Sequence, residues 1–136
     1  MAGGSFRDRH REPVYNRYVM RIDFLYWEDC PSHDEALRRL RAVLTEDEIA
    51  AEVQVTHVDT EELARALRFP GSPTIRVDGR DIQPETVAAD GRLTCRLYLL
   101  DDGRPSPLPS AEMIRRAVRA AQAPAAATNS LGGTQP

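Results

Sequence analysis

Cys30 and His33 are two reactive side chains that lie close together in the sequence. Cys30 follows an alternating strand pattern and precedes a helical one, so we expect it at the start of a helix. Unpaired N–H groups and the helix dipole at such a position favour an anion, and the thiolate is the form that attacks disulfides, peroxides and soft metals. His33 follows one helical turn later, where its imidazole could promote ionisation of Cys30 or hold its proton. A histidine packed into the core is an equally good interpretation of the same position.

Cys95 is the second of the chain's 2 cysteines. It shares one face of a predicted strand with Leu93, Leu97 and Leu99, which favours a buried core cysteine as the leading interpretation. The functional alternative is a thiol that resolves a disulfide or a sulfenate formed at Cys30. Two converging thiols could also bind a soft metal such as Hg(II) or Cu(I), whereas these cysteines and the distant histidines do not make a zinc pattern.

Strand and helix patterns alternate along the chain and predict an α/β domain with a mixed central sheet. The predicted order is β-α-β-α-β-β-α, with a further strand before the last helix. A strand–helix–strand opening requires a parallel pair with a right-handed crossover, and an Asp78-Gly79 turn then adds an antiparallel hairpin. The predicted strands cover residues 21–26, 52–58, 74–77, 80–82 and 93–100, and the predicted helices begin near residues 31, 59 and 110. The first of these helices is expected to run from Pro31 to Leu44.

Length and charge limit the class of protein. The chain has 136 residues and a net charge of −3, which fits one domain and argues against a nucleic-acid partner. No apolar run is long enough to span a bilayer, and the Gly-rich start lacks a secretory signal, so we expect a cytoplasmic monomer with no membrane partner. We predict a domain over residues 20–121, with disordered tails over residues 1–19 and 122–136.

Two segments resemble the thioredoxin-like superfamily. Residues 22–33, IDFLYWEDCPSH, are similar to its strand-to-helix active-site segment, and residues 71–74, GSPT, are similar to its cis-proline loop. With a later Cys95-Arg96-Leu97-Tyr98, these motifs resemble a group of compact bacterial thioredoxin family proteins, some of which are related to alkylmercury (organomercurial) lyases. The chain departs from the family at one position, because His33 stands where a C-x-x-C motif has its second cysteine and gives a CPxH variant.

The resemblance implies a thioredoxin-like three-layer sandwich and assigns roles to four residues. Cys30 corresponds to the redox-active nucleophile, and Pro73 corresponds to the cis-proline. Ser72, directly before it, would present its backbone to an extended substrate, as in strand addition. Trp27 is assigned to substrate binding together with Ser72 and Pro73.

The function that follows from the resemblance is a thiol–disulfide oxidoreductase or a thiol-dependent reductase. Cys30 would be its single N-terminal active-site cysteine, His33 its activator and Cys95 a possible resolving cysteine. Its substrate would be a protein or a low-molecular-weight thiol or disulfide, with no bound organic cofactor and no metal, although glutathione could serve as a co-substrate. Two alternatives stay open: a thiol protein that handles soft metals or organomercurials, and a redox-silent thioredoxin-like binding module.

Overall fold

A computed structural model of the chain describes the backbone of residues 19–87 and 91–134, and the side chains of those ranges up to residue 122. The elements alternate strand and helix, then form a hairpin, a short ribbon and a long final helix. The strands are β1 (Met20–Tyr26), β2 (Ala51–His57), β3 (Thr74–Val77), β4 (Arg80–Asp81), β5 (Tyr98–Leu99) and β6 (Pro105–Ser106). The helices are α1 (His33–Glu46), α2 (Glu61–Leu67) and α3 (Ala111–Thr134), with a 3-10 turn at Pro84–Thr86.

A mixed sheet of 4 strands, in the order β2-β1-β3-β4, forms the centre of the fold. β1 and β2 are parallel along their whole length, starting with Met20 opposite Ala51, and α1 supplies the crossover that a parallel pair needs. β3 runs antiparallel to β1, and β4 returns antiparallel to β3 after the Asp78-Gly79 turn. The α/β class and the mixed sheet predicted from the sequence are confirmed.

Helices pack on both faces of the sheet because β1 carries apolar side chains on both sides. Met20, Ile22 and Phe24 are buried in one cluster with residues of α1 and α3. Leu25 points to the other face and packs with Ala64 of α2 in a smaller cluster. Fully burying an apolar side chain of this size contributes about 1.5–3 kcal/mol. The larger cluster therefore holds α1 on β1 and fixes the loop that joins them.

The segment over residues 93–100 differs most from its predicted structure. Only Tyr98–Leu99 is a strand, and it pairs with Pro105–Ser106 in a separate ribbon rather than with the main sheet. The predicted continuous strand is therefore wrong. The residues before Tyr98 follow the Ser72 loop instead, through an isolated parallel bridge between Ser72 and Cys95.

The ends of two helices also differ from expectation. α1 begins at His33 and not at Pro31, because the Cys30 N–H donates to the Trp27 carbonyl at 3.0 Å and closes a turn before the helix starts. The backbone of α3 is helical through Thr134, so it runs past residue 121, where the sequence predicted the domain to end. Seven of residues 117–127 are alanine, the residue with the highest helix propensity.

Two sequence expectations concern the chain ends and the membrane. Except for Val19, the predicted N-terminal tail over residues 1–19 lies outside the described residues. Within residues 19–87 and 91–134, no helix combines the length and the apolar character needed to cross a bilayer.

Candidate thiol site

Cys30 lies in the turn that connects β1 to α1, called here the Cys30 turn (residues 27–32). Its side chain is only 2% exposed, because the Ser72 loop and Cys95 cover it. Its Sγ lies 3.5 Å from the carbonyl oxygen of Ser72. The helix starts three residues after the cysteine, so Cys30 is placed before α1 and not in its first turn.

Cys95 lies next to Cys30, although 65 residues separate the two in the sequence. The two sulfur atoms form a disulfide, with the Cα atoms 5.8 Å apart. Cys95 itself is exposed, so its leading interpretation as a core cysteine is wrong. Its neighbours on the predicted face, Leu97 and Leu99, are also exposed, at 59% and 46%, while Arg96 and Tyr98 are buried. The segment therefore turns the opposite face inward.

Ser72 and Pro73 form the loop that faces the disulfide, and the peptide bond between them is cis, as the resemblance predicts. The Ser72 N–H donates to the Thr94 carbonyl at 2.8 Å, and the Ser72 carbonyl accepts from the Arg96 N–H at 3.0 Å. Both backbone groups of Ser72 are thus bonded to residues 94–96, called here the Cys95 segment. The expected open backbone for an extended substrate is therefore occupied by the chain itself.

Trp27 and Ser72 connect the Cys30 turn to this loop. The Trp27 N–H donates to Ser72 Oγ at 2.9 Å, and Ser72 is fully buried. The Trp27 side chain is partly buried and packs against the cluster that includes Leu25 and Phe69. Trp27, which the sequence assigned to substrate binding, therefore helps to hold the two loops together beside the disulfide.

Arg96 anchors the Cys95 segment through a buried ion pair. Its guanidinium donates to both carboxylate oxygens of Asp81, at 2.6 Å and 2.7 Å, and the two side chains are only 1% and 9% exposed. It also donates to Thr74 Oγ1 at 3.2 Å, and to the Gln83 carbonyl and Thr86 Oγ1 at 3.1 Å and 3.0 Å. Burial alone would lower the pKa of Arg96, but the hydrogen bonds and charge of Asp81 outweigh it and raise that pKa. A bidentate buried pair of this kind loses several kcal/mol when one partner is removed.

Tyr98 provides a second anchor, next to Arg96. Its hydroxyl donates to the Pro73 carbonyl at 2.6 Å, and the Arg96 guanidinium carbon lies 4.3 Å from the centre of its ring. Burial raises the pKa of Tyr98, since the phenolate would lose its hydration in this environment. Tyr98 therefore stays protonated and continues to donate to the loop that carries the cis-proline.

Gly71 allows the Cys95 segment to approach the loop closely. Its φ is +133°, and a Cβ at this position would lie 2.8 Å from the Cβ of Arg96. A side chain here would therefore push the segment away as well as strain the backbone. Glycine is required at this position by both the contact and the conformation.

The sequence predicts that His33 acts on Cys30, but the structure places its imidazole against other partners. Its ring stacks on Tyr26, with the ring centres 4.5 Å apart, and its Nδ1 lies 3.3 Å from the Asp34 carboxylate. His57 stacks on the same tyrosine at 4.9 Å. Among the described residues His33 makes no hydrogen bond to the cysteine. The histidine belongs to an aromatic group near the β1 end, and the expected activating contact is not formed.

Sequence reasoning missed the residues that position Cys95. Arg96, Asp81 and Tyr98 were not assigned any role, although Arg96 and Tyr98 lie in the motif that carries the family resemblance. The sequence signal that exists is the two-residue spacing of Arg96 and Tyr98, which puts both side chains on one face of an extended segment, but it does not point to Asp81. Because arginine is rarely buried, the sequence predicts that the leucine face of this segment turns inward and that Arg96 faces solvent.

Comparisons of this chain with protein families, with curated proteins and with solved structures find no match. Within the part of the chain that the structure describes, no group of three or more His, Cys, Asp or Glu side chains could hold a metal ion. The functional proposals below therefore rest on the geometry of the two cysteines and on the sequence resemblance.

Proposed function

We propose that this protein is a thiol–disulfide oxidoreductase of thioredoxin-like fold that cycles between the Cys30–Cys95 disulfide and two thiols. The observation that carries the proposal is the meeting of two sulfurs from distant parts of the chain beside the Ser72-Pro73 loop. The parallel β1–β2 pair, the antiparallel β3–β4 hairpin and helices on both faces support the proposed fold.

The pair supports a two-cysteine cycle rather than the single active-site cysteine expected from the CPxH motif. In reduction, an external thiolate bonds to one sulfur of the disulfide, and the other sulfur leaves with the electron pair of the broken bond. A second external thiol then attacks the mixed disulfide and leaves as an oxidised external disulfide. Two external thiols lose two protons and two electrons, and the two protein sulfurs gain them.

This chemistry needs no bound organic cofactor, because a low-molecular-weight thiol supplies the electrons. We propose a cytoplasmic location for this cycle, since a reduced thiol pool is available there. The protein would act as a monomer, because both sulfurs come from one chain.

The direct test is a redox titration of the purified protein in glutathione buffers, read by alkylation and intact mass. We expect a reversible two-electron transition between disulfide and dithiol, in which the ratio of the two forms changes about tenfold for each 30 mV of buffer potential. The protein should also accelerate reduction of a small disulfide by glutathione, compared with the double variant Cys30→Ser/Cys95→Ser. A pair that never reduces in these buffers, or a rate equal to that of the double variant, would overturn the proposal.

A second candidate is a soft-metal binder, which the convergence of two sulfurs also favours. In the reduced protein, Cys30 and Cys95 would supply two thiolates for an ion such as Hg(II) or Cu(I). Titration of the reduced protein with Hg(II), followed by calorimetry, should give one tight site that either single Cys→Ser variant weakens. Unchanged binding by the Cys95→Ser protein would remove this candidate.

A further inference from the structure

We propose that Cys95, and not Cys30, is the sulfur that exchanges with external thiols, and that the external partner is a small thiol or disulfide rather than an extended polypeptide. This inference rests on the proposed exchange function and specifies its order and its substrate class. Three features of the described residues carry it: the exposure of each cysteine, the pairing of the Ser72 backbone, and the anchoring of the Cys95 segment.

Access differs sharply between the two cysteines. Cys30 is 2% exposed, whereas Cys95 is exposed to solvent. Thiol–disulfide exchange requires the attacking thiolate to reach the sulfur it bonds to, so access decides which sulfur is attacked. An external thiolate therefore reaches Cys95, and the buried Cys30 is the leaving group.

The immediate surroundings of Cys30 also favour its thiol form after reduction. Its Sγ lies 3.5 Å from the Ser72 carbonyl oxygen, which can accept an S–H hydrogen bond but repels a thiolate. Burial disfavours the charged form as well. In the oxidising direction the exposed Cys95 is therefore the better nucleophile, and Cys30 resolves the mixed disulfide formed on it.

The backbone that would bind a polypeptide substrate is already paired. Strand addition requires free N–H and C=O groups on the receiving strand. Here the Ser72 N–H and C=O are bonded to Thr94 and Arg96, and Cys95 lies between them opposite Ser72. The Cys95 segment occupies the place of a bound peptide, with its own cysteine bonded to Cys30.

An external peptide could not displace this segment cheaply. Arg96 would have to leave a buried bidentate pair with Asp81, and Asp81 would then remain buried without its charge partner. Gly71 also lies close to Arg96, and the Tyr98 hydroxyl donates to the Pro73 carbonyl of the same loop. The segment therefore stays in place during the cycle, and only a molecule that needs no strand pairing reaches the sulfur.

The resulting order of steps is explicit. An external thiolate forms a bond to Cys95 Sγ, the Cys95–Cys30 bond breaks, and Cys30 Sγ leaves with the electron pair and takes a proton. A second small thiol attacks the external sulfur of the mixed disulfide. This forms the small disulfide and releases Cys95 as a thiolate, which completes a two-electron reduction.

The first test uses the wild-type protein, so it does not depend on the folding of a variant. After full reduction, the protein is treated briefly with iodoacetamide under native conditions and the labelled peptides are quantified by mass spectrometry. We expect Cys95 to label about tenfold or more faster than Cys30, with the difference lost in denaturant. Faster labelling of Cys30 in the native protein would overturn the assignment.

Two single variants sharpen the same test. Reduced Cys30→Ser protein, which keeps Cys95, should form a stable mixed disulfide with oxidised glutathione, while Cys95→Ser protein should form it about tenfold or more slowly. In denaturant the two variants should form the mixed disulfide at equal rates, which controls for the intrinsic reactivity of the two thiols. A faster reaction of the Cys95→Ser protein would show that Cys30 is the exchanging sulfur after all.

The substrate class is tested by mixing the fully reduced wild-type protein separately with two disulfides, oxidised glutathione and an unfolded polypeptide that carries an accessible disulfide. The protein dithiol should be oxidised no faster by the polypeptide than by oxidised glutathione, and a clear preference for the polypeptide would overturn this part. The failures are distinguishable, because a protein that does not accelerate the reduction of a small disulfide by glutathione removes the proposed function. An active protein that exchanges through Cys30 removes only the order proposed here.

Discussion

The Cys30 turn and the Cys95 segment meet at one disulfide, yet different forces place them. The Cys30 turn follows from its neighbours: an alternating strand before it, a backbone turn at Trp27 and an amphipathic helix after it. The Cys95 segment has almost no local structure and is placed by partners that are distant in the sequence, which include Ser72 and Asp81. One half of the site is thus encoded locally and the other half by tertiary contacts.

Removing the buried charge of Arg96, which anchors the Cys95 segment, should have the largest effect on stability. Arg96→Ala leaves Asp81 buried without its partner, and we expect the free energy of unfolding to fall by about 3–5 kcal/mol. Urea denaturation of the oxidised protein at neutral pH measures the loss. Arg104→Ala, which removes an exposed arginine paired with Asp102, is the matched control and should change stability little. Equal losses in the two variants would mean that the buried pair does not hold the segment.

Crowding the contact at Gly71 should have the next largest effect. Gly71→Ala places a Cβ 2.8 Å from Arg96 Cβ and strains a φ of +133°, so we expect a loss of about 2–3 kcal/mol. Gly103→Ala is the matched control, because its φ is +87° but a Cβ there meets nothing within 4 Å. Thermal unfolding of both variants separates the contact from the backbone strain. A Gly71→Ala protein no less stable than Gly103→Ala would show that the segment can move away freely.

Removing the Tyr98 hydroxyl should have a smaller effect, with a distinctive pH dependence. Tyr98→Phe leaves the Pro73 carbonyl without its 2.6 Å donor, and we expect a loss of about 1–2 kcal/mol at neutral pH. Burial raises the pKa of Tyr98, so the folded protein keeps this proton at pH values where the unfolded chain loses it. Stability from this group is complete below about pH 10 and falls above it, by up to about 1.4 kcal/mol per pH unit.

The measurement is a series of urea unfolding curves between pH 8 and 11, with wild type and Tyr98→Phe in parallel. The difference between the two proteins should shrink as the pH rises, because only wild type has the raised phenol to titrate. A difference that stays constant across this range would contradict the burial of the hydroxyl.

The smallest effect is expected in the Cys30 turn. Ser32 is the N-cap of α1, but its side chain makes no capping bond and instead donates to the Pro107 carbonyl at 3.2 Å. Ser32→Ala should therefore cost about 0.5 kcal/mol or less, whereas Thr60→Ala, which removes a true cap of α2, should cost about 1 kcal/mol. Chemical unfolding of both proteins compares them. A larger loss for Ser32→Ala would show that side chains, and not the backbone, define the Cys30 turn.

The same division explains how much could be predicted from the sequence. The β1 strand and the short hairpin at Asp78-Gly79 were predicted from short sequence patterns, whereas the cis bond before Pro73 was predicted only from the family resemblance. The inward face of residues 93–100 was not foreseen, because leucines normally turn inward and arginines outward. A buried Arg96 is favourable because the Asp81 carboxylate pairs with its charge and further oxygens accept its hydrogen bonds, and no local pattern reveals these partners.

The expected contact between His33 and Cys30 failed for a related reason. Spacing along a helix showed that the two residues could be near each other, but not which neighbour the imidazole would prefer. Tyr26 lies on the adjacent strand end and offers its ring face, and His33 stacks there. Spacing along the chain therefore did not predict the partner of this imidazole.

Trp27 has a practical consequence that goes beyond its packing. It is the chain's only tryptophan, its backbone carbonyl accepts the Cys30 N–H, and its backbone N–H donates to Ser72 Oγ. Its indole thus belongs to the turn that must adjust when the bond between the sulfurs opens or closes. We expect intrinsic emission to follow the oxidation state in real time, which gives this molecule an optical reporter that needs no dye.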